Sequence, residues 1–135
     1  MWVGVILFDY ALLVGYNKEE VNFEGAVMVD KATQQQLDVI TDIIKETLPV
    51  EQIYLFGSYA TGTPHQDSDL DLYVVMKDSA DIREIDAMGL IHKAISGKKS
   101  IPVDVLVGKK QKYMQRSQGL TIEKTIADQG VLLYG

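Results

Sequence analysis

Apolar side chains recur at helical spacing in three stretches of the chain. In the first stretch, Leu37, Ile40 and Ile44 lie three and four residues apart, and the pattern stops before Pro49. This spacing is typical of an amphipathic helix that buries one face, and a proline disfavours helix at the residue before it. The periodicity predicts helices over residues 31–48, 82–95 and 122–127.

Three shorter apolar runs predict strands, because runs of about four to eight residues are too short for a buried helix. The first run ends at Gly57, and Ser58 follows at a position where we expect the N-cap of a short helix. Gly62 should end that helix within a few residues. The predicted strands cover residues 53–56, 70–75 and 102–107, and a further short apolar run, residues 131–134, follows the last predicted helix.

Three carboxylates occur where the second and third predicted strands should carry apolar side chains. Asp69 and Asp71 flank Leu70, and Asp104 interrupts the third run. Side chains alternate across a strand, so Asp69 and Asp71 share one face. Buried carboxylates on neighbouring strands repel one another unless a cation is bound. Ligands that are all oxygen favour a hard divalent cation such as Mg²⁺.

Simpler interpretations of these acids stay open. Asp69 and Asp71 can be solvated carboxylates at the border of a sheet, and an edge strand can point Asp104 at solvent. Ser58 can be a helix cap only. A strand followed by Gly57-Ser58 at a helix start is, however, also suited to hold phosphate groups on backbone N–H donors. Together the features predict a phosphate cradle beside a two-metal carboxylate site.

Composition narrows the class of protein. The chain has 135 residues, which is the size of one domain, and contains no cysteine, so a thiolate metal site is excluded and a reducing cytoplasm is allowed. The net charge of -6 argues against direct binding to nucleic acid, since the phosphate backbone attracts a basic surface.

The first 27 residues differ from the rest. Residues 2–16 are almost wholly apolar, but the run is too short to span a membrane and lacks the basic start of a signal peptide. The segment is either an additional strand or subunit contact, or upstream sequence translated by accident, with Met28 as the true start. We therefore expect one domain, which contains the phosphate and metal sites described above, over residues 28–135. Residues 1–27 are treated as an extension of uncertain origin.

The spacing of Gly57-Ser58, ten residues, then Asp69-Leu70-Asp71 resembles the signature of the polymerase-beta-like nucleotidyltransferase superfamily. The later strand acid, Asp104, continues the match. Within the superfamily the chain is most similar to the minimal nucleotidyltransferase branch, whose members act as antitoxins to HEPN-domain toxins. The resemblance implies an α+β fold with a small mixed sheet and helices packed mainly on one face.

The resemblance also implies a role for each matching residue. Asp69 and Asp71 would bind both of two Mg²⁺ ions, with Mn²⁺ as a substitute, and Asp104 would complete the site of the catalytic ion. All three would then be both metal ligands and catalytic residues. Gly57 and Ser58 would bind the β- and γ-phosphates of the nucleotide. A lysine of the basic cluster over residues 109–116 could approach the triphosphate.

The activity implied is transfer of a nucleoside monophosphate, most simply AMP from ATP, to a hydroxyl group, in the manner of a protein adenylyltransferase. The acceptor implied by the branch is a tyrosine of a cytoplasmic HEPN-domain partner, as in a type VII-like toxin–antitoxin system. Two alternatives stay open. One is a neutralising partner without transfer activity, and the other is an enzyme with a small-molecule acceptor.

Overall fold

The computed structural model describes residues 29–64 and 68–135. The expectations for residues 1–27, and for a start at Met28, lie outside the described residues. The described chain forms an α+β unit, whose elements in chain order are α1 (Lys31–Thr47), β1 (Val50–Phe56), β2 (Leu70–Met76), α2 (Glu84–Ile95), β3 (Val103–Lys109), α3 (Lys110–Arg116), α4 (Ile122–Gln129) and β4 (Val131–Tyr134). None of the described helices is both long enough and apolar enough to cross a bilayer.

Helix α1 begins and ends as its sequence predicts. The Asp30 side chain accepts a hydrogen bond from the backbone N–H of Thr33 at 2.6 Å, which satisfies one of the free donors at the helix start. Leu48, the residue before proline, leaves the helix in an extended conformation. The buried stripe contains Leu37, Ile40 and Ile44 and packs on the sheet.

The four strands form one mixed sheet in the order β3-β2-β1-β4. Strand β1 runs antiparallel to both β2 and β4, whereas β2 and β3 are parallel. The parallel pair is joined through α2, as expected because parallel strands need a long crossover. Strand β2 is thus central, with Asp71 opposite Phe56 of β1 on one side and opposite Asp104 of β3 on the other.

The two faces of the sheet carry different side chains. Helices α1 and α2 cover the face that holds the main apolar core, to which β2 contributes Leu70, Leu72, Val74 and Met76. The opposite face carries a smaller buried cluster, in which Tyr73 and Val75 of β2 pack against Tyr113 of α3 and Ile126 of α4. The prediction of an α+β fold with a small mixed sheet is confirmed, and the two longer helices, α1 and α2, share one face.

The short helix predicted after Ser58 is wrong. Residues 58–62 form hydrogen-bonded turns instead, in which the carbonyl of Gly57 accepts from the N–H groups of both Ala60 and Thr61 at 3.1 Å. Gly57 and Gly62 have φ angles of 74° and 75° and bracket the segment. The few residues between them cannot offset the cost of starting a helix.

Candidate active site

Two of the predicted site residues face each other across adjacent strands. Asp71 and Asp104 are register partners on β2 and β3, which brings their side chains to the same face at a spacing of about 5 Å between strands. Asp69 lies just before β2, two residues from Asp71, and alternation directs it to that face as well. Asp69 and Asp71 are half-buried, whereas Asp104 is exposed on the outermost strand.

The electrostatics of Asp71 reflect this crowding. Burial raises the pKa of the Asp71 carboxyl above its ordinary value, and the negative charges of Asp104 and then Asp69 raise it further. Both effects disfavour the ionised form, because a desolvated anion beside other anions lacks compensation. The three carboxylates therefore interact, as the sequence predicts, and the arrangement favours a bound cation.

Gly57 is required by the position of Asp71. Its φ of 74° lies in the left-handed region, where a side chain is strained. In addition, a Cβ atom added at Gly57 would overlap Oδ2 of Asp71. The backbone after β1 thus passes directly over the central carboxylate, and only glycine permits this approach.

The turn after Gly57 uses its carbonyl groups internally. The carbonyl of Ser58 accepts from the N–H of Thr63 at 2.9 Å, and the Thr61 hydroxyl lies 3.3 Å from the carbonyls of both Gly57 and Ser58. Within residues 29–64 and 68–135, neither the N–H group nor the hydroxyl of Ser58 donates a hydrogen bond to protein. Ser58 is half-buried and retains two donors for a ligand beside Asp71.

The donor set fits a hard divalent cation in its chemistry, since it consists of three carboxylates whose mutual repulsion a cation would relieve. Within the described ranges, however, no three His, Cys, Asp or Glu side chains converge as a preformed metal site. The backbone therefore supplies the register of the carboxylates, and their side chains would have to turn toward an ion. Asp69, Asp71 and Asp104 are the residues that would hold it.

An aromatic cluster continues from the carboxylates along the same face. Tyr54 and Tyr73 are cross-strand partners, and each lies two residues along its strand from the pair formed by Phe56 and Asp71. The Tyr113 ring of α3 packs on both, with ring centroids 5.8 Å from Tyr54 and 5.3 Å from Tyr73. These contacts anchor α3 to the sheet, and half-buried Phe56 borders both the cluster and the acids.

An ion pair with a buried carboxylate, which the sequence did not predict, joins α3 to α4. Glu123 is only 5% exposed and accepts a hydrogen bond at 2.8 Å from Nε of Arg116. Burial is the largest single influence and raises the pKa of Glu123, but the hydrogen bond and the charge of Arg116, together with hydrogen bonds from the backbone and Thr121, outweigh it and lower that pKa below its ordinary value. The signal was present, because Glu123 lies three residues before the buried Ile126 on one helix face.

The basic cluster does not converge on the carboxylates as a group. Lys110 lies 3.8 Å from Glu51, and Lys112 lies 3.1 Å from Glu84, in both cases between the charged atoms. Lys109 shares the odd-numbered face of β3 with the buried valines, which is the face opposite Asp104. A lysine beside the triphosphate therefore stays a prediction.

Known proteins resemble this chain in sequence and in fold. Protein adenylyltransferase MntA of Shewanella oneidensis is 42% identical over 43 residues, which is 31% of this chain and 31% of that protein. The matched segment thus spans about a third of that relative's length. Among solved structures, a candidate nucleotidyltransferase of Sulfolobus solfataricus superposes with a TM-score of 0.53 at 22% identity, over 77% of this chain and 84% of the other.

A toxin–antitoxin structure solved with AMP-PNP gives the same TM-score of 0.53 at 22% identity and covers 73% of each chain. At such identities these two structures show a common fold. The family described as Polymerase beta, Nucleotidyltransferase matches residues 38–135, well over half of the chain and including the glycine turn and all three acids. On this match the chain belongs to the polymerase beta nucleotidyltransferase family.

Proposed function

We propose that this protein transfers a nucleoside monophosphate, most simply AMP from ATP, to a hydroxyl group. The observation that carries the proposal is the register of Asp71 with Asp104, with the Gly57 turn packed directly on Asp71. A nucleotidyl transfer needs carboxylates for cations and free donors for phosphates at one place, and this corner of the sheet supplies both. Membership of the nucleotidyltransferase family supports the same reaction class.

In the proposed reaction the acceptor hydroxyl oxygen forms a bond to the α-phosphorus as the bond from that phosphorus to the oxygen bridging to the β-phosphorus breaks. Pyrophosphate leaves with the bonding electrons, and the hydroxyl proton passes to a carboxylate, for which exposed Asp104 is the most accessible. Ser58 would donate hydrogen bonds to the β- and γ-phosphates. Two bound Mg²⁺ ions, or Mn²⁺ in their place, would neutralise the phosphate charge and lower the pKa of the acceptor hydroxyl.

We further propose that the acceptor is a tyrosine on a HEPN-domain toxin and that the chain is the antitoxin. The support is the similarity to a protein adenylyltransferase and to a chain from a toxin–antitoxin structure solved with AMP-PNP. Such a pair would work in the cytoplasm, where ATP and Mg²⁺ are available. An enzyme that acts on a protein needs little substrate-binding structure of its own, because the partner supplies part of the site.

The experiment uses ATP labelled at the α-phosphate, Mg²⁺ and a HEPN-domain protein as the acceptor. We compare the wild type, Asp71→Asn, the double variant Asp69→Asn with Asp71→Asn, and Asp81→Asn as the control. Asp81 is an exposed loop carboxylate that makes no hydrogen bond or ion pair with other described residues. Label on the partner with wild type and Asp81→Asn, but not with the other two, is expected.

Two results would contradict the proposal. If all forms bind the partner tightly and none transfers label, the chain is a neutralising binding protein. If label appears on added small molecules and never on protein, the acceptor class is wrong although the reaction is right.

A further inference from the structure

The outer edge of β3 is unpaired in the part of the chain that the structure describes. Strand β3 is the last in the sheet and has β2 as its neighbour. The carbonyl of Pro102 accepts from the N–H of Leu70 on β2 at 2.9 Å, so even-numbered residues of this strand direct their backbone groups toward β2. Odd-numbered residues therefore direct theirs outward.

Glu84 confirms this direction at one end of the edge. Its Oε2 accepts a hydrogen bond of 3.2 Å from the N–H of Lys109, an odd-numbered position. The backbone groups of Val103, Val105 and Val107 also point outward, and no described strand pairs with them. The Glu84 side chain thus ends the open edge at Lys109. The edge over roughly five residues, 103–107, stays available for pairing.

An apolar groove of about 620 Å³ borders this edge on the side of α2. Ile85 and Met88 of α2 and Val107 of β3 line it, and Ile85 is 63% exposed although its side chain is large and apolar. Helix α2 packs against β3, so Ile85 and Met88 extend beyond the sheet at the place where a further strand would lie. Among residues 29–64 and 68–135, neither strand β3 nor helix α2 has a neighbouring element at this position.

The opposite side of the edge is apolar as well. Leu106 is 37% exposed on the face that carries Asp104. A segment hydrogen-bonded to β3 would bury Leu106 on one face and Ile85 on the other. Such a contact requires an extended segment, because a helix cannot use the outward backbone groups of a strand.

The charges around the groove indicate what the segment carries. The chain has a net charge of -6, yet the charged side chains that line the groove are Arg83, Lys109 and Lys112 against a single carboxylate, Glu84. Arg83 is paired with Asp86, and Lys112 with Glu84. Lys109 is half-buried and has no carboxylate within 4.0 Å in residues 29–64 and 68–135. A half-buried cation without a partner carboxylate favours an anionic group on whatever binds there.

We propose that the outer edge of β3 binds an extended segment of a protein partner as a fifth strand, with apolar side chains on Ile85 and Leu106 and an aspartate or glutamate beside Lys109. The proposal rests on the proposed function, because the partner is the acceptor protein of that reaction. Side chains on paired strands lie about 5 Å apart, so the bound segment would pass directly beside Asp104. The docking edge and the carboxylate site thus share one strand.

Hydrogen exchange followed by NMR tests the strand pairing without any catalysis. On adding the HEPN-domain protein, in the absence of ATP, we expect slower exchange at the amides of Val103, Val105 and Val107. The amides of Leu106 and Gly108 already face β2 and serve as internal controls, because their protection should change little. Unchanged exchange at the three outward amides in a formed complex would overturn the proposal.

Variants test the side-chain contacts through the affinity for the same partner. Ile85→Glu and Lys109→Glu should each raise the Kd at least about 10-fold, because both introduce a carboxylate where the groove is apolar or already needs an anion. Leu90→Glu is the matched control, since Leu90 is 44% exposed on the same helix and does not line the groove. An equal effect of all three variants, or no effect of Ile85→Glu, would contradict docking at this edge.

The remaining outcomes identify other occupants and would also overturn the proposal. Protection of Val103, Val105 and Val107 in the isolated chain at all concentrations would assign the edge to another part of this chain. Protection that rises with the concentration of the isolated chain, and is lost in Ile85→Glu, would assign it to a second copy. Because these assays need no ATP, they are independent of whether label transfer occurs, which separates failure of the docking from failure of the reaction.

Discussion

The two faces of β2 carry opposite kinds of side chain, although they alternate within seven residues. One face contributes Leu70, Leu72, Val74 and Met76, all fully buried under α1 and α2. The other begins with Asp71 and continues with Tyr73 and Val75. The first face is wholly apolar, whereas the second adds a carboxylate that other carboxylates repel to a smaller buried cluster. The difference indicates that the first face contributes most to stability and that the proposed reaction uses the start of the second.

The largest expected effect is on the buried face. Leu72→Ala should lower the free energy of unfolding by about 2–5 kcal/mol, because it removes a fully buried side chain and leaves a cavity. Urea denaturation followed by circular dichroism measures the loss. Leu106→Ala, on the other face and 37% exposed, is the control and should cost clearly less. Equal losses in the two variants would show that the faces contribute equally to stability.

Asp71→Asn should impair the reaction without lowering stability, which is the opposite of the effect expected for Leu72→Ala. We expect the rate of label transfer to fall at least about 100-fold, since the central carboxylate of the proposed site is lost. The Tm of the metal-free protein should stay equal or rise, because repulsion from Asp104 and Asp69 is removed. Thermal denaturation in EDTA measures the second effect. A Tm several degrees lower would mean that Asp71 stabilises the fold.

Addition of Mg²⁺ gives a related but separate test. A cation that binds the folded carboxylate site raises the Tm of the wild type by mass action, and its removal with EDTA should reverse the shift. The same addition should leave the Tm of the double variant Asp69→Asn with Asp71→Asn nearly unchanged. An equal rise in both proteins would indicate that Mg²⁺ binds elsewhere.

Two glycines allow the turn over Asp71 to be tested with matched backbones. Gly57 and Gly62 have nearly equal φ angles of 74° and 75°, so alanine at either position carries a similar strain of about 1–2 kcal/mol. A Cβ at Gly57 would overlap the Asp71 carboxylate, whereas one at Gly62 has no atom within 4 Å. We expect Gly57→Ala to lower transfer at least about 10-fold more than Gly62→Ala. Equal transfer rates in the two variants would show that the contact between the turn and the Asp71 carboxylate does not matter for the reaction.

The smallest effect on stability is expected at the ion pair between Glu123 and Arg116. The pKa of Glu123 is lower in the folded protein than its ordinary value of 4.5, so its contribution to stability is present above that value and is lost as the pH falls through the folded pKa. Glu123→Gln should lower the Tm by a few degrees at pH 7. The difference from wild type should shrink below about pH 4.5. A constant difference across this range would exclude the charge of Glu123 as its cause.

The sequence predicted most elements because each has a strong local signal. The α1 stripe, the proline that follows it and the apolar runs of β1, β2 and β3 are local features of the sequence, and the structure confirms the elements they predict. The short helix after Ser58 failed because two glycines with positive φ act together there, and single-residue cap preference does not include that constraint. The Glu123–Arg116 pair was missed because a glutamate is normally read as a solvent-exposed position.

The sequence by itself determined the family and the alternation that places Asp69 and Asp71 on one face. These follow from local chemistry and from spacing along the chain, which folding does not change. The tertiary structure alone decided that Asp104 faces Asp71, that β3 lies at the open edge of the sheet, and that Lys109 borders a groove rather than the acids. Strand order and register are set by contacts between residues far apart in the chain, and no local pattern contains them.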